Sequence, residues 1–399
     1  MSHIFETIFL LDKNTAFWYN EEKGGEPMDA REKLFAKRNP FAADTDALFV
    51  KALRENCRYH FTHCPEYRRI LDAEGFSPDA LQTSAALAKL PPLPTALFKR
   101  HHLTSMPAWR IPVKATSSGT KGQFSKVGLE LGALWNGLWM VLRVAKYRKL
   151  LSLRPVNYVI LGYEPHKGND MAVMKTAYGS TFFAPALHRC YALRYENGQY
   201  TADLEHVLKT LQRYVKTGHP VRFMGFPSYT YFLLQLMENR SVHLQLPPGS
   251  KIMLGGGWKQ FYKEQVDKTE LYALIRRVLG VEESEIIEFF GAVEHPILYA
   301  DCPAHHFHIP VYSRVLIRDV NTLEPVPNGT PGLVNLLTPM ICATPLTSVM
   351  TDDLGILHDG SECPCGIRSP YLEIIGRVGL KEIRTCAAGA ADILKGVSP

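Results

Sequence analysis

The chain has 399 residues, more than one hydrophobic core usually contains, which predicts one large domain with subdomains or two domains. Hydrophobic residues make up 46% and charged residues 21%, a composition typical of a globular protein. The formal net charge of +6 is modest, and its basic residues are too scattered to indicate binding of nucleic acid.

The N-terminal residues do not have the pattern of a secretory signal, because Glu6 and Asp12 interrupt their apolar run. A membrane span needs about 18 consecutive apolar residues, and the sequence contains no such run. Eight cysteines in a long chain without a signal predict mostly free thiols and a cytoplasmic location.

Elements of two kinds are expected along the chain. Residues 28–110 have a polar, amphipathic pattern that predicts helices, for example over 44–57 and 79–89, followed by an extended, proline-rich segment at 90–94. Strand-like and helix-like runs then alternate, which predicts an α/β core with a largely parallel sheet. The strands are expected at 158–162, 221–225, 251–254 and 286–290, and the helices at 204–215, 228–239 and 263–279.

The pattern of apolar and polar residues changes after residue 307. Segments 311–319 and 332–337 are apolar or alternating and lie between Pro/Gly turns, which predicts a small β-rich subdomain. In parallel sheets of α/β proteins, ligands bind at the carboxyl ends of the strands. The glycine-rich segments of this sequence fall at those ends.

A loop at residues 116–122 has the composition of a phosphate-binding loop. Glycines allow close approach of the backbone, hydroxyls and successive N–H groups donate to phosphate oxygens, and a lysine adds a positive charge. The loop lacks the Walker A pattern, and a solvated Ser/Gly turn is the alternative interpretation. Its candidate residues are Thr116, Ser117, Ser118, Gly119, Thr120 and Lys121.

Two further loops follow predicted strands. Gly255, Gly256 and Gly257 would let a flat ligand such as a purine approach the backbone, or they form a strained turn. Phe290 could stack on a base, and Glu294 supplies the carboxylate oxygen that Mg²⁺ prefers. The alternative is a core aromatic residue followed by a surface glutamate.

Asp352 and Asp353 are predicted in a turn, where a carboxylate could accept hydrogen bonds from ribose hydroxyls or serve only to form the turn. Arg377 follows a glycine near the end of the chain. Taken alone, this arginine indicates no particular role.

The order of these motifs resembles the adenylate-forming superfamily of acyl and aryl ligases. The resemblance runs from about residue 90 to the end, and it is strongest to the acyl-protein synthetases of bacterial luminescence, with phenylacetate–CoA ligase-like enzymes next. Segments 94–99 and 255–259 are similar to stretches of the acyl-protein synthetases. The resemblance implies an adenylate-forming α/β fold with a β-rich subdomain and a shortened C-terminal domain.

By position, the resemblance implies that residues 116–121 bind the ATP phosphates, with Lys121 steadying them. Gly256 and Gly257 would border adenine, and Phe290 would stack on it. Glu294 would hold Mg²⁺–ATP, Asp353 would bind ribose, and Arg377 would be the hinge-region arginine. The sequence departs from the superfamily at Phe290, Val293 and Lys121, where tyrosine, threonine and a small or hydroxylated residue are usual.

The 22 residues after Arg377 are too few for the usual C-terminal domain, which supplies a catalytic lysine. Acyl-protein synthetases carry the acyl group on a cysteine near the C-terminus, and Cys386 occupies such a place. Lys381 and Arg384 lie close in sequence and would favour the thiolate. An unreactive tail cysteine is the alternative. Lys395 could replace the missing catalytic lysine.

Three cysteines and one histidine have the residue types of a structural zinc site. Phenylacetate–CoA ligase-like proteins have similar positions, His306 could replace His308, and the alternative is free thiols beside solvated histidines. The candidate ligands are Cys302, His308, Cys363 and Cys365.

These observations predict an ATP-dependent ligase that converts a fatty or aryl acid to an acyl-adenylate and passes the acyl group to a thiol. That thiol is Cys386, CoA, or one on a carrier protein or reductase subunit. A catalytically weak nucleotide-binding scaffold is the second hypothesis. The expected acyl pocket comprises Phe226, Pro227, Ser228, Tyr229 and Gly255. The expected regions are residues 1–110 (helical), 111–300 (α/β core), 301–376 (β-rich) and 377–399 (tail).

Overall fold

The computed structural model describes residues 29–117, 124–166, 171–258, 261 and 264–377. Its strands are β1 (Leu93–Pro94), β2 (Val113–Thr116), β3 (Lys126–Leu129), β4 (Val156–Tyr163), β5 (Ala186–Glu196), β6 (Gln199–Ala202), β7 (Val221–Gly225), β8 (Lys251–Gly255), β9 (Ile286–Ala292), β10 (His295–Ala300), β11 (Phe307–His308), β12 (Arg314–Arg318), β13 (Gly332–Leu337), β14 (Ser348–His358) and β15 (Tyr371–Arg377). Its α-helices are α1 (Asp29–Phe35), α2 (Asp46–His63), α3 (Pro65–Ala73), α4 (Thr95–Arg100), α5 (Leu131–Tyr147), α6 (Ala172–Ser180), α7 (Leu204–Lys216), α8 (Pro227–Asn239) and α9 (Lys268–Leu279).

A seven-stranded sheet forms the α/β core, in the order β10-β9-β8-β7-β4-β5-β6. The five central strands are parallel, and the two edge strands, β10 and β6, pair antiparallel. Parallel strands covered on both faces need apolar residues throughout, and seven of the eight residues of β4 are buried. The predicted α/β class is confirmed, and the carboxyl ends of β4, β7, β8 and β9 lie along one edge.

Helix α9 of the core is bounded by a capping residue at each end. Helix α9 starts at Lys268 rather than at the predicted residue 263, because the Asp267 carboxylate accepts the backbone N–H of Thr269 and so caps the helix there. The helix ends at Leu279, and Gly280 after it has a φ of 64°, the left-handed conformation that glycine adopts without strain.

The second sheet is mostly antiparallel and follows the core in sequence. Its order is β11-β15-β14-β13-β12, and β1 from the N-terminal region adds to β14 in parallel. Strand β12 begins at Arg314, later than the predicted 311, because a turn in which Ser313 N–H donates to the Pro310 carbonyl precedes it. The predicted β-rich segment is therefore a full sheet with a strand from the N-terminal region.

The N-terminal helices pack on this second sheet. One apolar cluster contains Leu34, Phe49 and Leu53 together with Leu336 and Leu372. The helix predicted at 79–89 is two short 3₁₀ turns, Pro78–Ala80 and Ser84–Lys89. Serine, threonine and aspartate in this segment compete for backbone hydrogen bonds, which disfavours a continuous α-helix. Over the described ranges, no helix combines the length and apolar character that crossing a membrane requires.

Two fully buried histidines predict how stability depends on pH. Burial lowers the pKa of His60 and of His295 from about 6.5 to about 3. Between those values the unfolded chain binds protons that the folded chain does not, so the free energy of unfolding falls as the pH decreases from 6.5 to 3. Each histidine should contribute roughly 1 kcal/mol per pH unit to this fall in the free energy of unfolding.

We measure the free energy of unfolding in urea at pH 6 and at pH 5. Between these two pH values, we expect it to fall by roughly 1 kcal/mol less in His60→Gln than in the wild type, because one of the two buried histidines is gone. His63→Gln, an exposed change on the same helix, is the control. An unaltered pH dependence in His60→Gln would show that His60 does not carry the effect.

Candidate active site and metal-ligand cluster

The predicted phosphate loop closes a β-hairpin. Strands β2 and β3 pair antiparallel up to Thr116, which lies opposite Lys126. Ser117 N–H then donates to the Ser125 carbonyl over 3.2 Å, and Ser125 N–H donates to Ser117 Oγ over 2.9 Å. These two serines hold the ends of the loop together. The remaining candidates, Ser118, Gly119, Thr120 and Lys121, lie outside the described residues.

Glu294 lies beside this hairpin. His295 pairs with Ala292, which leaves Val293 and Glu294 as the turn between β9 and β10. The Ser125 hydroxyl donates to Glu294 Oε1, and Glu294 is only 5% exposed. Glu294 is therefore not the surface glutamate of the alternative interpretation, and its carboxylate faces the base of the predicted phosphate loop.

The glycine-rich turn lies next to strand β9. Gly255 is opposite Phe289 in the parallel pairing of β8 and β9, and Gly256 and Gly257 follow this last paired residue of β8. Both glycines are exposed and have φ values of 81° and 66°, which strongly favour glycine. The Phe290 ring lies 5.7 Å from Tyr299 and is half-buried against the core.

Asp352 and Asp353 lie in the middle of strand β14, so the prediction of a turn is wrong. Both neighbouring strands bind β14, and this pairing outweighs the local turn preference of two aspartates. Asp353 is opposite Arg377, with Arg377 Nε 3.7 Å from Asp353 Oδ1. Burial raises the pKa of the Asp353 carboxyl, and the Arg377 guanidinium opposes that rise.

Lys99 connects this aspartate pair to the hairpin and was not a candidate from sequence. Its Nζ lies 3.9 Å from Asp352 Oδ2, and Thr95 Oγ1 donates to Asp352 Oδ1 over 3.3 Å. Lys99 also lines a cavity of about 110 Å³ together with Phe124 and Lys126 of the hairpin. In the sequence, only its position within segment 94–99 pointed to Lys99. No sequence feature pointed to Ser125.

The predicted acyl-pocket residues gather at the carboxyl end of β7. Gly225 has a φ of 152°, and a Cβ there would lie 2.3 Å from the Leu161 carbonyl oxygen, so a side chain cannot fit. Phe226 is buried, Pro227 begins α8, and Ser228 Oγ is buried without a partner in the described chain. The Tyr229 ring lies 6.1 Å from Phe226. Aromatic rings therefore surround this corner of the core.

Four candidate metal ligands come together at the edge of the second sheet, where β11 pairs with β15. The ligand atoms of Cys302, His308, Cys363 and Cys365 all lie within 4.8 Å of one another. The Sγ atoms of Cys302 and Cys363 are 3.7 Å apart, and His308 Nε2 is 3.2 Å from Cys365 Sγ. A tetrahedral zinc with Zn–S bonds of about 2.3 Å holds its sulfurs about 3.8 Å apart, so the set matches the ion's size.

Further hydrogen bonds orient this cluster. His308 Nδ1 contacts the Ser369 carbonyl at 2.7 Å, which places the proton on Nδ1 and leaves the Nε2 lone pair facing the thiols. Ala304 N–H donates to Cys302 Sγ, and Ile367 N–H donates to Cys365 Sγ. His306 contacts Cys363 Sγ at 3.2 Å through Nδ1, from a ring stacked on Tyr371. His308 therefore belongs to the four-ligand set, with His306 beside it.

Solved structures of adenylate-forming ligases have the same fold. An open conformation of 2-hydroxyisobutyryl-CoA ligase in complex with 2-HIB-AMP and CoA superposes with a TM-score of 0.64 at 18% identity, covering 85% of this chain and 76% of that chain. The fold is therefore that of the adenylate-forming ligases. The family profile described as "Acyl-protein synthetase, LuxE" matches residues 30–394, and the chain belongs to this family.

Characterised relatives agree with this assignment. The long-chain-fatty-acid–luciferin-component ligase of Aliivibrio fischeri is 25% identical over 86% of this chain and 88% of its own length. Phenylacetate-coenzyme A ligase of Aromatoleum evansii is 24% identical over 77% of this chain and 65% of its own length. The predicted resemblance is confirmed, and the chain is an enzyme that activates an acid with ATP as an acyl-adenylate and transfers it to a thiol.

Proposed function

We propose that this ligase adenylates a fatty or aryl acid in the crevice between the β2–β3 hairpin and the carboxyl ends of β7, β8 and β9. The observation that carries the proposal is the buried Glu294 carboxylate, bonded to Ser125 at the base of the predicted phosphate loop. A carboxylate beside a loop of this composition suits a nucleotide–metal complex.

In the first step, the substrate carboxylate attacks the α-phosphorus of ATP, forming a carboxyl–phosphate bond, and pyrophosphate leaves. Glu294 would hold Mg²⁺, which when bound neutralises charge on the phosphates. The loop at 116–121 donates hydrogen bonds to the phosphate oxygens, and Lys121 adds positive charge. These groups act by positioning and by stabilising charge that develops in the transition state.

The remaining nucleotide contacts follow the same edge of the core. Gly256 and Gly257, exposed and in left-handed conformations, bring the backbone close to adenine, with Phe290 on the neighbouring strand β9. Asp353 accepts hydrogen bonds from the ribose hydroxyls, and its pairing with Arg377 supports this by holding the carboxylate in place.

The acyl group would lie against the aromatic corner formed by Phe226, Pro227, Ser228 and Tyr229, next to Gly255. Apolar rings around a buried hydroxyl suit the hydrocarbon or aryl part of an acid. The match to ligases named for long-chain fatty acids supports a fatty acid, and the phenylacetate ligase supports an aryl acid. A panel of both classes in ATP–pyrophosphate exchange identifies the substrate.

ATP–pyrophosphate exchange also distinguishes an active ligase from the catalytically weak nucleotide-binding scaffold of the second hypothesis. Incorporation of labelled pyrophosphate into ATP that depends on an added acid supports the proposal. ATP binding without exchange for any acid of the panel contradicts it.

The second step transfers the acyl group from the adenylate to a thiol, and AMP leaves with the phosphate oxygen. We propose Cys386 as the first acceptor, with CoA and a carrier protein or reductase subunit as the alternatives. Lys395 is our candidate for the lysine that other superfamily members supply from a C-terminal domain. Cys386 and Lys395 both lie outside the described residues.

Intact mass spectrometry after incubation with ATP and the preferred acid should show one acyl adduct sensitive to hydroxylamine. We expect Cys386→Ala to lose the adduct while pyrophosphate exchange persists, because adenylation precedes the thiol. Cys190→Ala, which removes a buried thiol elsewhere, is the control. An unmodified wild-type protein that forms acyl-CoA would instead identify CoA as the acceptor.

We also propose structural Zn²⁺ at Cys302, His308, Cys363 and Cys365. Four protein ligands leave no open position, so the ion would stabilise the second sheet and take no part in the reaction. Within the described chain none of the seven cysteines is in a disulfide, which supports a reducing compartment such as the cytoplasm.

A further inference from the structure

Ser125 connects the β2–β3 hairpin to the turn between β9 and β10. Its N–H and its carbonyl oxygen both bond to Ser117, at 2.9 Å and 3.2 Å, and so close the hairpin beneath the predicted phosphate loop. Its hydroxyl donates to Glu294 Oε1, on the turn between β9 and β10. Ser125 is fully buried, so its side chain does not exchange this partner for water.

The hydroxyl has one proton, and that proton is committed to the carboxylate. A donor of this kind fixes the rotation of the carboxylate. With Oε1 engaged, Oε2 is the oxygen that remains for a cation. Carboxylates that bind metals usually accept such an outer hydrogen bond, and its loss typically lowers metal affinity or activity about 10- to 100-fold.

We propose that Ser125 is a positioning residue that aims Glu294 at the nucleotide-bound Mg²⁺. The proposal rests on the metal role of Glu294 in the proposed function. The backbone of Ser125 also bonds Ser117, so one residue contacts both the hairpin and the candidate metal ligand.

The test compares Ser125→Ala with Ser125→Thr, which keeps the hydroxyl. Ser105→Ala is the matched control, because Ser105 is also buried and its hydroxyl also bonds a buried side chain, 2.6 Å from His60 Nδ1. Binding of Mn²⁺ in the presence of ATP is measured by electron paramagnetic resonance. The KM for Mg²⁺–ATP and kcat come from pyrophosphate exchange, and each variant's melting temperature is recorded.

We expect Ser125→Ala to weaken Mn²⁺ binding with ATP about tenfold or more and to raise the KM for Mg²⁺–ATP. Ser125→Thr should stay within about threefold of the wild type, since it retains the donor. Ser105→Ala should lower the melting temperature without changing Mn²⁺ affinity, because the buried acceptor that loses its partner is His60 Nδ1 and not the Glu294 carboxylate.

Equal Mn²⁺ affinity in Ser125→Ala and the wild type would overturn the proposal, even if exchange confirms the ligase. A loss as large in Ser125→Thr as in Ser125→Ala would also overturn it, because packing would then explain both. If no acid supports exchange but Ser125→Ala still weakens Mn²⁺ binding, the positioning role stands and the proposed reaction fails. A wild-type chain that binds no Mn²⁺ with ATP overturns both.

Discussion

Glu294→Gln should reduce acid-dependent pyrophosphate exchange by about 10²- to 10³-fold, as expected for loss of one contact that stabilises transition-state charge. The substitution keeps the size of the side chain and an oxygen that can accept the Ser125 hydroxyl. It removes the negative charge that would hold Mg²⁺. The fold should therefore persist, and the melting temperature should change little.

Glu288→Gln is the matched control for this experiment. Glu288 lies on strand β9, which leads into the turn that contains Glu294, but its carboxylate bonds Tyr272 and Lys268 outside the candidate site. We expect its exchange rate to stay near that of the wild type. Exchange by Glu294→Gln within tenfold of the wild type, at saturating Mg²⁺, would contradict the metal role of Glu294.

Removal of zinc should be the largest stability effect in this protein. Structural zinc contributes about 10–16 kcal/mol to the folding of zinc-finger peptides, comparable to the entire stability of an ordinary domain. We therefore expect one zinc per purified chain, and loss of cooperative melting of the second sheet after chelation. Metal content is measured by inductively coupled plasma mass spectrometry and melting by calorimetry.

Cys363→Ala should purify without zinc and with a much lower melting temperature. Cys190→Ala removes an equally buried thiol from the α/β core, and it should keep the zinc and lose only the small packing contribution of one sulfur. Absence of zinc from the wild-type protein, or equal melting temperatures for the two variants, would contradict the zinc proposal.

Much of the α/β core could be predicted from sequence, because buried parallel strands are continuous apolar runs. Strand β4 and its neighbour β7 lie where such runs predicted them. The metal-ligand set could also be predicted, since three cysteines and a histidine with metal-ligand chemistry lie in two short segments.

Features that depend on tertiary pairing could not be predicted. Asp352 and Asp353 have the local preference of a turn, and only the strands on either side of β14 make them part of a sheet. Ser125 is a single serine outside any motif, and its bond to Glu294 depends on the packing of a hairpin against a distant turn. Lys99 approaches Asp352 in the same way.

The N-terminal helices pack on a sheet whose strands are mostly synthesised much later. Leu93 pairs with Val349, and the apolar faces of α1 and α2 are covered by strands near the other end of the sequence. The early helices leave the ribosome long before those strands exist, whereas all strands of the seven-stranded sheet lie between residues 156 and 300. These helices precede the α/β core in the chain but are thus buried only after the second sheet has been made, and a chain stopped near residue 300 would leave Leu34, Phe49 and Leu53 open to aggregation.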